Sequence, residues 1–167
     1  RVSSTSDSTV SDVSNGVFAI KGKLQITAPD ATTRWVAGSS GHAITWVRTG
    51  SIANVRIDYA VDGGLFDNPI IASTNAANQT FTWNSLPAHV SNTYLIKISD
   101  VNDLTNVNVT SAAFKIVGSV TVTKPAGGEQ IKVGQNFKIE WTKAGDFANV
   151  RIEYSGNGGT SFDYQII

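Results

Sequence analysis

Val55, Ile57, Tyr59 and Val61 alternate with Arg56, Asp58 and Ala60, the period of two that sends alternate side chains to opposite faces of a half-buried strand. Similar patterning runs along much of the chain. Leu24 and Ile26 mark an opening strand that ends at Pro29, and His42, Ile44 and Trp46 share one face of a second. Pro69 to Ser73, Thr80 to Trp83, Tyr94 to Ser99 and Ala112 to Val117 supply the rest, with Gly, Asn, Asp and Pro in the gaps. No segment carries a convincing helical period. Seven strands in about 96 residues predict an all-β chain of immunoglobulin-like sandwiches.

The pattern also repeats at long range. Ala53-Asn54-Val55-Arg56-Ile57-Asp58-Tyr59 recurs as Ala148-Asn149-Val150-Arg151-Ile152-Glu153-Tyr154, and each copy runs into a glycine pair, Gly63-Gly64 or Gly158-Gly159. Upstream, Pro29, Gly38 and Trp46 correspond to Pro125, Gly134 and Trp141. Val17-Phe18-Ala19-Ile20-Lys21-Gly22 parallels Ala113-Phe114-Lys115-Ile116-Val117-Gly118. Self-similarity at a fixed period sets the architecture. It divides the chain into residues 1–22, the C-terminal strand or strands of a preceding repeat; residues 23–118, a complete repeat; and residues 119–167, the N-terminal half of a following one. The absence of methionine fits the expectation of a piece of a longer, processed chain.

Composition narrows the function. Lysine plus arginine and aspartate plus glutamate both total 13, so no cationic surplus is available for a phosphate backbone, and nucleic acid is not an expected partner. Charged residues make up only 16% of the chain, and Thr, Ser, Asn and Gly take their place, which favours strands and turns. Cysteine is absent, which excludes disulfides, thiolate zinc sites and cysteine nucleophiles. No apolar run approaches the ~18 residues of a membrane span, so direct membrane insertion is not expected.

Pro29, Trp35, Gly38, Ile44-Thr45-Trp46, Val55 to Tyr59 and Asp62-Gly63-Gly64 together resemble the fibronectin-III/immunoglobulin-like tandem repeats of large secreted bacterial proteins. The pattern is also similar to the N-terminal domain of fungal cell-wall glucan-assembly proteins and of Ser/Thr-rich GPI-anchored surface proteins. The second copy keeps Pro125, Gly134, Trp141 and Tyr154-Ser155 but has Ile131 where the family has tryptophan. The resemblance implies an extracellular or cell-surface setting and a repeat array; it implies no activity.

Candidate chemistry is sparse. Ser155 to Phe162 resembles an Asp-box with Asn157 at the aspartate position, a turn-bracing device in which an aromatic packs beneath the hairpin. His42, aligned with Phe137, is expected at the edge of the core; His89 lies in a loop, and neither histidine has a carboxylate at ligand spacing. Asp100-Val101-Asn102-Asp103 carries oxygen ligands of the kind calcium takes, but sits inside the repeat and reads as a solvated loop. Trp46 and Trp141 are expected to be inter-sheet core residues, Trp83 a core residue, and Trp35 the one tryptophan free to be exposed. Arg56/Asp58 and Arg151/Glu153 read as solvated cross-strand pairs. Asn78-Gln79-Thr80 and Asn108-Val109-Thr110 satisfy the N-glycosylation pattern.

No acid, base and nucleophile cluster. The expectation is a chain that is not an enzyme, with no catalytic, cofactor-binding or metal-binding residues and no cofactor. It reads as a structural or interaction module of a secreted or cell-surface repeat protein: a stalk, adhesin, sheath or extracellular fibre segment. Its expected partners are neighbouring Ig-like repeats of the same or an adjacent chain, and a cell-surface glycan or protein. Two alternatives stand beside it. One is a filament subunit whose incomplete terminal domains complement each other by strand addition. The other is a glycan-binding accessory domain of a carbohydrate-active enzyme, which requires an exposed aromatic strip.

Overall fold

A computed structural model describes all of residues 1–167. A small hairpin pairs β1 (Val2–Ser3) with β2 (Ser11–Asp12) at the N-terminus. The central part of the chain then forms β3 (Lys23–Ala28), β4 (Arg34–Val36), β5 (His42–Thr49), β6 (Asn54–Ala60) and β7 (Asn68–Asn75). A single 3-10 turn over Ala76–Asn78 leads into β8 (Thr80–Trp83), β9 (Ser91–Asp100), β10 (Asn108–Thr110) and β11 (Phe114–Val117). These strands make two sheets. One is three-stranded, in the order β3-β5-β8; the other runs β4-β11-β9-β6-β7, with β10 also on β9.

The core lies between them. Leu24, Ile44, Trp46 and Trp83 of the first sheet meet Val55, Ile57, Tyr94, Ile96, Ile98, Phe114 and Ile116 of the second in one buried cluster. Each of these side chains comes from an inward position of a two-residue alternation, which is why the pattern specifies the sandwich. The Trp46 indole N–H donates to the Ala76 carbonyl at 3.1 Å, so the largest buried ring carries no unpaired polar atom. The two-sheet topology, the core tryptophan on β5 and a tyrosine at the start of β9 bonded back to its own loop make this an immunoglobulin-like sandwich.

The strands within residues 23–118 number nine, not seven. One addition is β10, upstream of the last expected strand: β10 and β11 both pair with β9, and Ser111 sits between them, its hydroxyl accepting the Ile96 N–H at 3.0 Å. The unexpected β4 runs parallel to β11, with Trp35 opposite Ile116. Three residues are too few to show an alternation, so β4 left no periodic signal.

The second copy reuses the geometry of the first. β12 (Ser119–Lys124) pairs with β13 (Glu140–Ala144), and β14 (Glu153–Tyr154) pairs with β15 (Tyr164–Gln165). Val122 lies opposite Trp141 just as Ile26 lies opposite Trp46, and the register shifts at the next residues in both pairs. Trp141 is nevertheless 39% exposed against 1% for Trp46, because no strand equivalent to β9 stands across from it. The expectation of a buried core residue therefore fails at Trp141. Val17 to Ile20, the sequence counterpart of β11, makes no ladder, and Phe18 and Ile20 are exposed. No helix in the structure is long and apolar enough to cross a membrane.

Candidate functional site

The convergence of polar groups with the most connections lies where the sandwich meets residue 119 onward. Its floor is the loop between β8 and β9. The Tyr94 hydroxyl, on a fully buried ring, donates to the His89 carbonyl at 2.9 Å and fixes the loop backbone five residues upstream. Burial of that phenol pushes its pKa up to about 12, so it remains a donor at every physiological pH.

With its backbone held, the His89 ring stands between two carboxylates. Nε2 lies 2.9 Å from Asp62 Oδ2, and Nδ1 lies 2.7 Å from Asp146 Oδ2. Asp62 belongs to the turn after β6, at φ 53, a left-handed conformation that aspartate tolerates better than most residues. Its carboxylate also accepts from the Ser91 and Thr93 hydroxyls, and its own N–H donates to Thr93 Oγ1 at 3.2 Å. Those hydroxyls and His89 hold the Asp62 pKa down at about 2. Asp146 belongs to the second copy, immediately after β13. Its second oxygen accepts the Val90 N–H at 3.0 Å, and its N–H donates to the Ala88 carbonyl at 3.0 Å. The hydrogen bonds from His89 and Val90 lower its pKa. The two carboxylates raise that of His89. An imidazole donates from both nitrogens only when protonated, so this geometry favours the imidazolium.

Beside the triad the backbones pack closely. Gly145, at φ +105, brings the second copy against Gly118 and Val90; a Cβ there would stand 2.7 Å from Val90 Cγ2 and 3.3 Å from Gly118 Cα. The same arrangement recurs 95 residues earlier, where a Cβ on Gly50 (φ +86) would stand 3.2 Å from Gly22 Cα. Phe147 covers Gly118 as Ile52 covers Gly22. The repeat thus includes its own junction.

Elsewhere the residues singled out from sequence fall into place individually. The expectation that His89 has no neighbouring carboxylate is wrong, because its partners come from positions 27 and 57 residues away, beyond any local spacing rule. His42 sits at the core edge, its ring 4.7 Å from that of Trp35 and 2.7 Å from Ser39 Oγ; desolvation lowers its pKa. Trp35 is not exposed: it packs edge-on to Phe114 at 5.0 Å and Trp83 at 6.3 Å, in the slot opened by β4. Arg56 and Asp58 are not a solvated cross-strand pair. Both lie on one face of β6, Arg56 Nε donates to both carboxylate oxygens at 2.9 and 2.8 Å, and Asp58 is buried. Arg151 meets Glu153 through a single contact, Nη2 to Oε1 at 2.7 Å, and both side chains stay partly exposed.

Asp103 pairs with Lys21 at 2.6 Å, and the Asp100 carboxylate accepts the Asn102 N–H at 2.9 Å. Around Ser155 to Phe162, Asn157 Oδ1 accepts the Ser161 N–H at 3.0 Å and Ser155 Oγ the Gly159 N–H at 2.9 Å, which braces the turn; Phe162 is exposed rather than packed beneath it. Asn108 spends its amide on the Leu104 and Thr105 carbonyls, while Asn78 is exposed at the 3-10 turn. A shallow groove between β7 and β8 is lined by Tyr59, Ile70, Phe81 and Trp83.

No protein-family profile matches this sequence, and no curated protein matches it. Among solved structures, the fibronectin(III)-like modules of Clostridium thermocellum CbhA are similar to it at 18% identity, over 56% of this chain and 92% of that one, with a TM-score of 0.36.

Proposed function

We propose that this chain is a non-catalytic structural module of an extracellular or cell-surface protein, in which residues 23–118 form one unit of a tandem array of immunoglobulin-like sandwiches. The observation that carries the reading is the junction. β11 ends at Val117, β12 begins at Ser119, and the intervening Gly118 is packed under Phe147 while His89 bridges to Asp146. A spacer of one residue with side-chain contacts across it restricts how neighbours swing, as a stalk or fibre requires. The resemblance to secreted repeat proteins supports the setting. The array holds a distal function at a distance; its partners are the adjoining repeats and a surface glycan or protein.

Expression of residues 23–118 alone tests the unit. The expected result is one cooperative urea transition with the fluorescence of a buried Trp46. A broad, non-cooperative transition would remove the domain assignment. A glycan array tests the accessory-domain alternative, for which Trp35, Trp46 and Trp83 offer no exposed strip, being packed in or against the core.

Strand exchange between copies remains a second reading, favoured by one observation. Val17 to Ile20 repeats the sequence pattern of β11, yet Phe18 and Ile20 are exposed and unpaired. Such a segment is suited to adding to a sheet edge of another copy. Sedimentation of the full chain across a concentration series should then show assembly that Phe18→Asp abolishes; a monomer at every concentration rejects it.

A further inference from the structure

A histidine with both ring nitrogens on carboxylates from separate parts of a chain is more than a loop contact. Asp62 and the β8–β9 loop belong to the sandwich; Asp146 belongs to the second copy. Each carboxylate has other support, from the Ser91 and Thr93 hydroxyls on Asp62 and the Val90 N–H on Asp146, so each stays in place whatever the state of the ring. The ring is the one group joining them. We propose that His89 is a proton-operated clasp that holds the second copy at a fixed angle to the sandwich, closed when the imidazole is protonated and opened on one arm when it is neutral. This rests on the array reading above, for which it supplies the orientation control.

The charge arithmetic follows from the contacts. The groups facing the ring are Asp62 from the turn after β6 and Asp146 from the turn after β13; at the start of β9 the uncharged Ser91 hydroxyl donates to Asp62 and the Tyr94 hydroxyl to the His89 carbonyl, and the ring's ion pairs are with those two carboxylates alone. Protonated, the ring donates to both and is attracted by both. Neutral, it keeps one N–H and turns a lone pair toward the other carboxylate, so one of two hydrogen bonds becomes a repulsive contact. Asp62, with three hydroxyl and imidazole donors, is the better-supported acceptor. A neutral ring that keeps its proton on Nε2 releases the arm to Asp146, across the junction. What remains there is the Val90 N–H to Asp146, the Asp146 N–H to Ala88, and the Gly145–Gly118 packing. The junction loosens without separating.

The test uses the full chain, with His89 followed by NMR from pH 5 to 9. The expected result has three parts. The His89 midpoint lies above the ordinary 6.5 and falls in both Asp62→Asn and Asp146→Asn. The Val90 and Asp146 amide shifts move with that same midpoint. Residual dipolar couplings of residues 23–117 and 119–167 fit one alignment frame below the midpoint and two above it. In His89→Gln, which hydrogen-bonds without titrating, the pH step in Val90 and in the couplings is lost while the Trp46 and Ile57 signals keep their folded positions. An ordinary His89 midpoint that Asp146→Asn leaves unmoved overturns the clasp, as does a single alignment frame across the whole pH range. Neither outcome touches the array reading, which fails instead if residues 23–118 do not fold alone.

Discussion

The Tyr94 hydroxyl donates to the His89 carbonyl across five residues, and through that bond the centre of the core reaches the edge of the junction. Tyr94 is inaccessible to solvent and lies 5.9 Å from the Phe114 ring and 6.0 Å from Tyr59. The loop carrying His89 is thus anchored from beneath by a ring packed into the core cluster. Tyr94→Phe keeps the ring and deletes the anchor. Leaving the carbonyl without its donor should lower stability by about 1–3 kcal/mol in urea denaturation. It should also broaden the His89 and Val90 resonances, which a purely local loss would leave sharp.

The pH dependence has two sides of opposite sign. His89 has a raised pKa, so its contribution is complete below the unfolded value of 6.5 and is lost as pH rises through the higher folded value. Asp62 and Asp146 have depressed pKa values; their contribution is complete above 3.8 and is lost as pH falls, for Asp62 toward about 2. The melting temperature of the full chain should therefore be highest between about 4 and 6.5, and should decline on both sides. In His89→Gln the alkaline decline from this cluster should vanish and most of the acid one remain. Scanning calorimetry at four pH values checks both limbs.

How much of this was legible in the sequence depended on whether the signal was periodic. β5, β6 and β9 are long enough for alternation to declare which side chains face inward, and Ile44, Trp46, Ile57, Ile96 and Ile98 are buried as their positions require. β4 is three residues long, and Trp35 in it gives no inward signal, since it follows Arg34 and has Ile131 as its counterpart in the second copy. The His89 cluster was invisible for a different reason. Asp62, His89 and Asp146 come from three turns, and only the folded topology brings turns together. Glycines offered the one advance hint: Gly22 and Gly50 recur as Gly118 and Gly145, and a recurring pair of glycines marks close backbone approach.

Arg56 and Asp58 also departed from alternation, since an outward-facing aspartate proved to be buried. Arg56 supplies three short contacts to it, and hydrogen bonding to Asp58 raises the arginine pKa. Removing the guanidinium strands a buried carboxylate, which costs more than the lost attraction. Arg56→Ala should lower the urea midpoint clearly more than Arg151→Ala, whose partner Glu153 is 28% exposed and can be hydrated. Arg56→Ala combined with Asp58→Ala should recover part of the loss, because no charge is then stranded.

The two matched tryptophans separate what a repeat encodes from what a packed sandwich adds. Trp46 on β5 and Trp141 on β13 occupy equivalent strands and register, opposite Ile26 and Val122. Trp46 is closed in by the facing sheet and bonds Ala76, whereas Trp141 is 39% exposed. Trp46→Ala should therefore cost about 3–5 kcal/mol, the range for a large ring removed from a closed core. Trp141→Ala leaves a surface that water already reaches and opens no cavity, so it should cost under about 1 kcal/mol. Urea denaturation of the two variants decides it, and fluorescence gives an independent reading: the single-tryptophan loss at position 46 should remove a blue-shifted, quencher-resistant component, and the loss at position 141 a red-shifted, quenchable one. Equal costs would mean that Trp141 is covered in solution, by residues of a second copy or by a strand that takes the place of β9.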